Sequence, residues 1–204
     1  MVRFMNDSYQ TVAQTITVKS VINRSEFLAH VKEVDTEEEA REFINLIKEK
    51  HKQATHNCSA YSIGLPPKEI TYADDNGEPS GTAGKPILGA IKSSQVTNVV
   101  IVVTRYFGGK KLGVRGLIDA YGGVAKDAIE AAGIVTRIVT KAFRLECDYS
   151  ALNSVMYYLN KYEARVIKSE YSEKSKLVIG VRASLYDELK KLMEQYGEIK
   201  EDLI

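Results

Sequence analysis

The sequence of 204 residues has few of the features that mark an exported, membrane-spanning or metal-stabilised protein. It has two cysteines, Cys58 and Cys147, and neither belongs to a CxxC pair, which disfavours a disulfide framework and a structural zinc site. No apolar run approaches the roughly 20 residues that a membrane-spanning helix requires. The start of the chain lacks the apolar segment of an export signal. We therefore expect a cytoplasmic protein with no membrane partner, metal or cofactor.

The chain also lacks a strong net charge, which is +1 at pH 7. A strongly basic protein attracts nucleic acid over its whole surface, but a nearly neutral one does not. The hydrophobic content of 44% and the charged content of 27% are ordinary for a globular protein. Any binding of nucleic acid must therefore come from a local basic patch.

Hydrophobic periodicity predicts two α+β domains, with residues 1–135 in the first and 136–204 in the second. In the first domain, a β-rich stretch broken at Asn23-Arg24 predicts a hairpin, and Thr36 followed by Glu39 predicts a capped helix. The β-branched run at residues 99–103 predicts a buried central strand. The helix after it is expected to end at Gly133, because glycine commonly follows a helix C-terminus.

The second domain has the pattern βαββαβ, which is typical of the ferredoxin-like fold. Strands are predicted at residues 139–147, on both sides of the turn 172–175, and at residues 198–203. A first helix is predicted at residues 152–159. Ser184 and Asp187 are expected to open the last helix, and Gly197 to close it.

Three polar segments of the first domain are hard to explain by packing alone. The first, residues 51–61, reads His-Lys-Gln-Ala-Thr-His-Asn-Cys-Ser-Ala-Tyr. His56 and Cys58 would share a strand face, so they could act as base and nucleophile. Because cysteine usually lies in a core, a buried Cys58 beside a structural His56 is the favoured interpretation.

The second segment, residues 74–86, reads Asp-Asp-Asn-Gly-Glu-Pro-Ser-Gly-Thr-Ala-Gly-Lys-Pro. Its glycines and the amides of a following helix N-terminus could bind phosphate or carboxylate, with added charge from Lys85. It is not a Walker loop, since Pro86 stands where Ser or Thr is required. A turn that uses these residues for backbone reasons is an equally good interpretation.

The third segment, residues 104–116, reads Thr-Arg-Tyr-Phe-Gly-Gly-Lys-Lys-Leu-Gly-Val-Arg-Gly and has four basic residues but no acidic one. Arg105 and Tyr106 could contact a phosphate and stack on a base. Arg105 could instead position a ligand or pair with Asp75 or Glu78. The alternative is a solvated loop whose aromatic residues turn into the core.

Together the three segments resemble the IMPACT family, in its bacterial YigZ-type members. The resemblance lies in Ala-Thr-His-Asn-Cys at 54–58, Gly-Glu-Pro-Ser-Gly-Thr-Ala-Gly at 77–84, and Thr-Arg-Tyr-Phe-Gly-Gly at 104–109 with Leu117 and Ala120-Tyr121 after it. It implies an N-terminal domain like domain 2 of ribosomal protein S5. It also implies a ferredoxin-like C-terminal domain resembling the last domain of elongation factor G. Arg115 and Asp119 depart from the family pattern, in which glycine and a basic residue, respectively, are common at these positions.

The resemblance implies a translation-linked role without established catalytic residues, since eukaryotic IMPACT is a translational regulator. The leading hypothesis is a noncatalytic binding protein that recognises RNA, a ribonucleoprotein, the ribosome or a translation factor, with DNA still a candidate. An enzyme acting on an anionic substrate and a protein–protein adaptor remain alternatives. The candidate anion- or partner-binding residues are His56, Glu78, Gly81, Thr82, Gly84, Lys85, Arg105, Tyr106, Gly108, Gly109, Lys110, Lys111 and Arg115.

Overall fold

The computed structural model describes residues 7–65 and 67–200, which form two compact units. The first unit is Tyr9–Arg137, and the second contains residues 138–200 together with Asp7 and Ser8. Among these residues, no helix is both long and apolar enough to cross a lipid bilayer. The position of a domain boundary at residue 135 remains a prediction.

Seven strands belong to the first part of the chain. They are β1 (Ser8–Val12), β2 (Ile16–Ile22), β3 (Ser25–Glu33), β4 (His56–Ile63), β5 (Ile70–Asp74), β6 (Val99–Tyr106) and β7 (Ile134–Ile138). Five of them form an antiparallel sheet in the order β2-β3-β6-β4-β5, and β1 pairs with β7. The predicted hairpin is confirmed, because Asn23 and Arg24 have φ angles of 47° and 69°, as a tight turn between twisted strands requires.

Three helices cover the two faces of this sheet: α1 (Glu37–Lys50), α2 (Gly84–Ser93) and α3 (Gly113–Ala132). Helix α1 begins as predicted, since the Thr36 hydroxyl accepts the Glu39 amide at 3.2 Å. Alternate residues of β6 pack against α2 and α3 on one face and against α1 on the other. The five residues 99–103 are therefore fully buried, which confirms the predicted central strand.

The second unit has the predicted order βαββαβ. Its elements are β8 (Thr140–Cys147), α4 (Leu152–Lys161), β9 (Arg165–Tyr171), β10 (Ser175–Arg182), α5 (Tyr186–Met193) and β11 (Gly197–Lys200). The antiparallel sheet has the order β11-β8-β10-β9. Phe143, Leu145, Leu177 and Ile179 point from its central strands into the core of this unit.

Two predicted helix boundaries in the second unit are wrong. A short 3-10 turn, Ala183–Leu185, precedes α5, and Ser184 donates its hydroxyl hydrogen to Asp7 instead of capping the helix. Helix α5 ends at Met193, and Gly197 opens β11. A Cβ on Gly197 would lie 2.2 Å from the Glu146 carbonyl oxygen, so close strand approach explains this glycine. Residues 201–203 of the predicted last strand lie outside the described part of the chain.

Candidate functional site

A buried ion pair between Arg105 and Glu78 lies at the centre of the candidate site. Arg105 Nη1 donates to Glu78 Oε1 at 2.6 Å, and the side chains are only 6% and 4% exposed. Arg105 Nη2 donates to the Ser25 hydroxyl at 3.3 Å. This confirms the interpretation in which Arg105 pairs with a carboxylate of the second segment. Because its charge is balanced and buried, Arg105 is not part of an open basic groove.

The sheet register places Arg105 between two neighbours on the same face. Phe27 on β3 and His56 on β4 are its direct cross-strand partners, and opposed residues of antiparallel strands share a face. The Arg105 Cζ atom lies 5.6 Å from the Phe27 ring centroid and 5.5 Å from that of Phe107. Aromatic rings at this distance attract a guanidinium group. The Arg105 side chain is therefore held by packing as well as by its ion pair.

Glu78 receives a second hydrogen bond from helix α3. The fully buried Tyr121 donates its hydroxyl hydrogen to Glu78 Oε1 at 2.9 Å. Burial, with the neighbouring Cys58 and Glu78 groups, raises the pKa of Tyr121, so the hydroxyl stays protonated and donates. Both hydrogen bonds end on Oε1. Within residues 7–65 and 67–200, no donor reaches Oε2, which therefore keeps its capacity to accept.

His56 presents one ring nitrogen of defined character beside this carboxylate. Its Nδ1 lies 2.9 Å from the Asn76 carbonyl oxygen, which can only accept, so Nδ1 carries a hydrogen. In the neutral ring Nε2 is then a bare acceptor, and it lies 3.8 Å from Glu78 Oε1. Two acceptor groups thus stand side by side on the wall of the site.

The side chains of Arg105, Glu78 and His56 line a cleft of about 380 Å³ in the first unit. Its other lining residues are Thr55, Pro79, Phe107, Lys111, Leu112, Gly113, Val114 and Leu117. Phe107 is 45% exposed and Val114 is 61% exposed, which is high for large apolar side chains. The cleft therefore combines a polar, charge-balanced wall with apolar walls and one lysine, a composition typical of ligand sites.

The second segment does not present its helix N-terminus to an external anion, and that expectation is corrected. The Asp75 carboxylate accepts the amides of Gly81 at 2.7 Å and of Ala83 and Gly84 at 2.9 Å. Burial raises the Asp75 pKa, but these amide donors outweigh it and hold the pKa below its usual range. The protein's own carboxylate thus occupies the start of α2.

The remaining candidates of this segment have structural or peripheral positions. Thr82 is buried, and its hydroxyl donates to the Pro79 carbonyl at 2.6 Å. A Cβ on Gly84 would lie 2.6 Å from the Asp74 backbone nitrogen, so only glycine fits there. Lys85 is exposed and does not line the cleft. Of the two equally weighted interpretations of this segment, these positions support the turn built for backbone reasons.

The third segment divides between the two faces of the sheet. Tyr106 turns to the face opposite Arg105, where its hydroxyl lies 3.0 Å from His51 Nδ1. Gly108 passes so close to Arg24 that a Cβ would lie 1.8 Å from the Arg24 carbonyl oxygen. Gly109 has a φ of +86° and is exposed. Neither Tyr106 nor these two glycines lines the cleft.

The basic charge of the third segment is smaller than its sequence indicates. Arg115 Nε donates to Asp119 Oδ2 at 3.1 Å, and this exposed i,i+4 pair is locally neutral. The positive charge of Arg115 and the negative charge of Asp119 therefore cancel each other. Lys110 and Lys111 are exposed, and no ion pair to either one occurs among the described residues. Lys111 lines the cleft, whereas Lys110 does not.

Cys58 is not placed for nucleophilic catalysis. It is fully buried, and its Sγ donates to the Asp75 carbonyl oxygen at 2.9 Å. Burial raises the pKa of Cys58 to about 12, so the thiolate is essentially absent at neutral pH. The base-and-nucleophile hypothesis is therefore contradicted. In the described ranges, no group of three or more His, Cys, Asp or Glu residues could hold a metal ion.

Three features of the site were not assigned from the sequence. Tyr121 was expected only as an apolar-face residue of α3, and its hydrogen bond to Glu78 was missed. Ser25 follows directly after the hairpin turn, and nothing local indicates its bond to Arg105. Asp75 was considered as a partner of Arg105, yet it caps α2. An acidic residue before a glycine-rich helix start could have indicated that cap.

The fold and the cleft define a two-unit α+β protein with a mixed polar and apolar binding site in its first unit. The protein-family model of the Impact N-terminal domain matches residues 23–129. The family model of a domain of unknown function, DUF1949, matches residues 145–195. The chain belongs to the IMPACT family, as the three segments predicted.

Individual relatives match most of the chain. IMPACT family member YvyE of Bacillus subtilis is 43% identical over 169 residues, which is 83% of this chain and 77% of that protein. IMPACT family member YigZ of Escherichia coli is 33% identical over 167 residues, 81% of each chain. The crystal structure of a hypothetical protein, 30% identical, covers 98% of both chains with a TM-score of 0.72.

Proposed function

We propose that the chain is a regulatory binding protein linked to translation, and that its first unit recognises single-stranded RNA, free or within a ribonucleoprotein or ribosome. The link to translation comes from its membership of the IMPACT family. The likeness of the two units to domain 2 of ribosomal protein S5 and to the last domain of elongation factor G is part of the same proposal. The βαββαβ order of the second unit supports it.

The observation that carries RNA recognition is the exposed Phe107 ring at a cleft that also contains Lys111. Single-stranded nucleic acid is bound without strict sequence preference by aromatic faces that stack on bases and by cations that follow the phosphates. Phe107 offers such a face, and Lys110 and Lys111 lie three and four residues after it in an exposed loop. A purely apolar protein partner would gain nothing from the two lysines.

The local charges predict a modest electrostatic contribution. Arg105 and Arg115 are paired with Glu78 and Asp119, so two lysines remain to neutralise phosphates. For single strands the logarithm of affinity falls with the logarithm of salt by about 0.7 per phosphate contact. Two contacts therefore predict a slope contribution of about 1.4.

Fluorescence anisotropy of a labelled single-stranded RNA across a salt series tests this function. The double variant Lys110→Ala/Lys111→Ala should flatten the salt dependence by about 1.4. Replacing Lys126, an exposed lysine of α3 paired with Glu130, should leave the slope unchanged. RNA binding by the wild-type protein that is undetectable or independent of salt would contradict the proposal.

A second candidate function, an enzyme, is favoured by one observation: the cleft brings His56 and Glu78 together. A ring nitrogen of defined tautomer beside a carboxylate can support acid–base chemistry. Assays of phosphate and carboxylate esters with wild type and His56→Ala discriminate the two functions. Turnover by the wild-type protein that the variant loses would favour the enzyme. Partners recovered from lysate that survive ribonuclease treatment would favour the adaptor.

A further inference from the structure

We infer that the cleft is a pocket for one guanine base, supplied by an unpaired guanosine of RNA or by a free guanine nucleotide. This inference rests on the proposed function, because it names the chemical group that the RNA-binding cleft would take. Its basis is the juxtaposition of two acceptors, an exposed aromatic ring and a lysine in one cleft of about 380 Å³.

The polar wall offers two acceptor groups to a ligand, the Glu78 carboxylate and the His56 ring. Glu78 Oε1 is filled by Arg105 and Tyr121, while Oε2 receives no hydrogen bond from the described residues. His56 Nε2 is an acceptor in the neutral ring, because the Asn76 carbonyl fixes the hydrogen on Nδ1. A ligand that fits must therefore bring two adjacent donors to these groups. An acceptor placed there would leave buried polar groups unpaired, which is costly.

Among the four RNA bases, guanine alone has two adjacent donors on its Watson–Crick edge, N1–H and the N2 amino group. Adenine and cytosine each place an acceptor beside their amino group, and uracil has a single N–H between two carbonyls. Unstacked bases in single strands expose this edge to protein groups. His56 Nε2 lies 3.8 Å from Oε1 of the same carboxylate whose Oε2 is left to accept, so the imidazole and the carboxylate are neighbouring groups that one base edge can reach.

The other walls match the remaining parts of a guanine nucleotide. Phe107 lines the cleft with 45% of its surface exposed, so a purine can stack on it. Lys111 lines the same cleft and can pair with the phosphate. Arg105 supports this wall, since its guanidinium lies near the Phe27 and Phe107 rings and donates a hydrogen bond to the Glu78 carboxylate. Arg105 is therefore a positioning residue that needs no contact with the base.

Isothermal titration of the full chain with GMP, IMP and AMP tests the pocket with free nucleotides. IMP lacks the N2 amino group, and AMP presents an acceptor at N1. A pair of hydrogen bonds to a base edge discriminates by roughly ten- to a hundredfold. We expect GMP to bind that much more tightly than AMP, with IMP between them. Phe107→Leu should weaken GMP binding, whereas Lys126→Ala, on helix α3 and outside the cleft, should not.

A second arm uses oligoadenylate RNA with one central guanosine, inosine or adenosine. A preference for guanosine in this arm alone assigns the pocket to RNA, and a preference for GMP alone assigns it to a free nucleotide. Either result supports the guanine pocket. Salt-dependent RNA binding, combined with no preference for guanine over adenine in either arm, would overturn the guanine pocket and leave the proposed function standing. A preference for GMP over AMP without any binding of RNA would support the guanine pocket and contradict the proposed function.

One variant separates recognition from folding. His56→Gln removes the ring acceptor but keeps a polar side chain, and its thermal unfolding compared with wild type shows whether the unit remains folded. A folded variant that has lost the preference for GMP over AMP supports the assignment of His56 as an acceptor. A folded variant with unchanged preference overturns that assignment.

Discussion

Arg105 of β6 and Glu78 of the β5–α2 loop are joined by a hydrogen-bonded ion pair of 2.6 Å that is almost entirely shielded from solvent. The same carboxylate oxygen accepts a hydrogen bond from the Tyr121 hydroxyl of α3, so a strand, a loop and a helix meet at one oxygen. The polar wall of the cleft is therefore also a structural joint of the first unit. Substitutions there affect stability and binding together, and the two must be measured separately.

Breaking this pair from one side should be strongly destabilising. Glu78→Ala leaves the buried Arg105 guanidinium without its counter-charge, and such losses cost about 3–5 kcal/mol. The double variant Glu78→Gln/Arg105→Met removes both charges and should cost less than Glu78→Ala. Urea unfolding of the wild type and both variants gives the free energies. A single variant no less stable than the double one would show that the unpaired Arg105 charge does not cause the destabilisation.

Stability should fall in mild acid because of His30. His30 is 2% exposed, and burial, together with His51 and Lys50, lowers its pKa from 6.5 to about 4. Since the folded pKa lies below the unfolded one, the contribution of the neutral ring is complete above pH 6.5. It is lost as pH falls from 6.5 toward 4.

Urea unfolding measured at intervals through this pH range tests that prediction. His30→Gln lacks the titrating ring, so its unfolding free energy should change less with pH than that of the wild type. Equal pH dependence in the two proteins would mean that His30 protonates as easily in the folded as in the unfolded chain.

Two glycines of helix α2 should respond to alanine in opposite ways. A Cβ on Gly84 meets the Asp74 backbone at 2.6 Å, so Gly84→Ala should destabilise by about 1–3 kcal/mol. Gly89 is exposed with nothing within 4 Å, and Gly89→Ala should stabilise by about 0.5–1 kcal/mol. Thermal unfolding of both variants is the measurement. A neutral Gly84→Ala would show that the loop of Asp74 can move aside.

Cys58 should react slowly with a thiol reagent until the protein unfolds. Its side chain is fully buried, and its raised pKa of about 12 leaves little thiolate at neutral pH. Labelling of Cys147→Ser protein in native buffer and in urea isolates this cysteine. Rapid stoichiometric labelling in native buffer would reopen the question of a catalytic thiol.

Features with local causes were predictable from the sequence. The cap of α1 depends on Thr36 and Glu39, three residues apart, and the hairpin turn depends on the adjacent Asn23 and Arg24. The run at residues 99–103 indicated a strand buried on both faces. In each case the pattern that indicates the feature lies within a few consecutive residues.

The geometry of the site was less predictable because it depends on contacts between distant residues. Gly108 is required by the Arg24 carbonyl, which reaches it from a hairpin 84 positions earlier. Asp75 reaches forward nine residues to cap α2. The backbone amides that the sequence pattern predicted to be free for an external anion therefore already donate to its carboxylate. Glycine-rich sequence alone does not distinguish a loop that binds a ligand from one that packs against its own backbone.

We propose that the cleft of the first unit binds RNA. Titration of isotope-labelled protein with short single-stranded RNA, followed by the backbone NMR shifts, tests it most directly. We expect the changes to be largest at Phe107, Lys111 and Val114, which line the cleft, with Lys126 as an unaffected reference on the same unit. Shifts confined to other surfaces, or none at saturating RNA, would contradict the account.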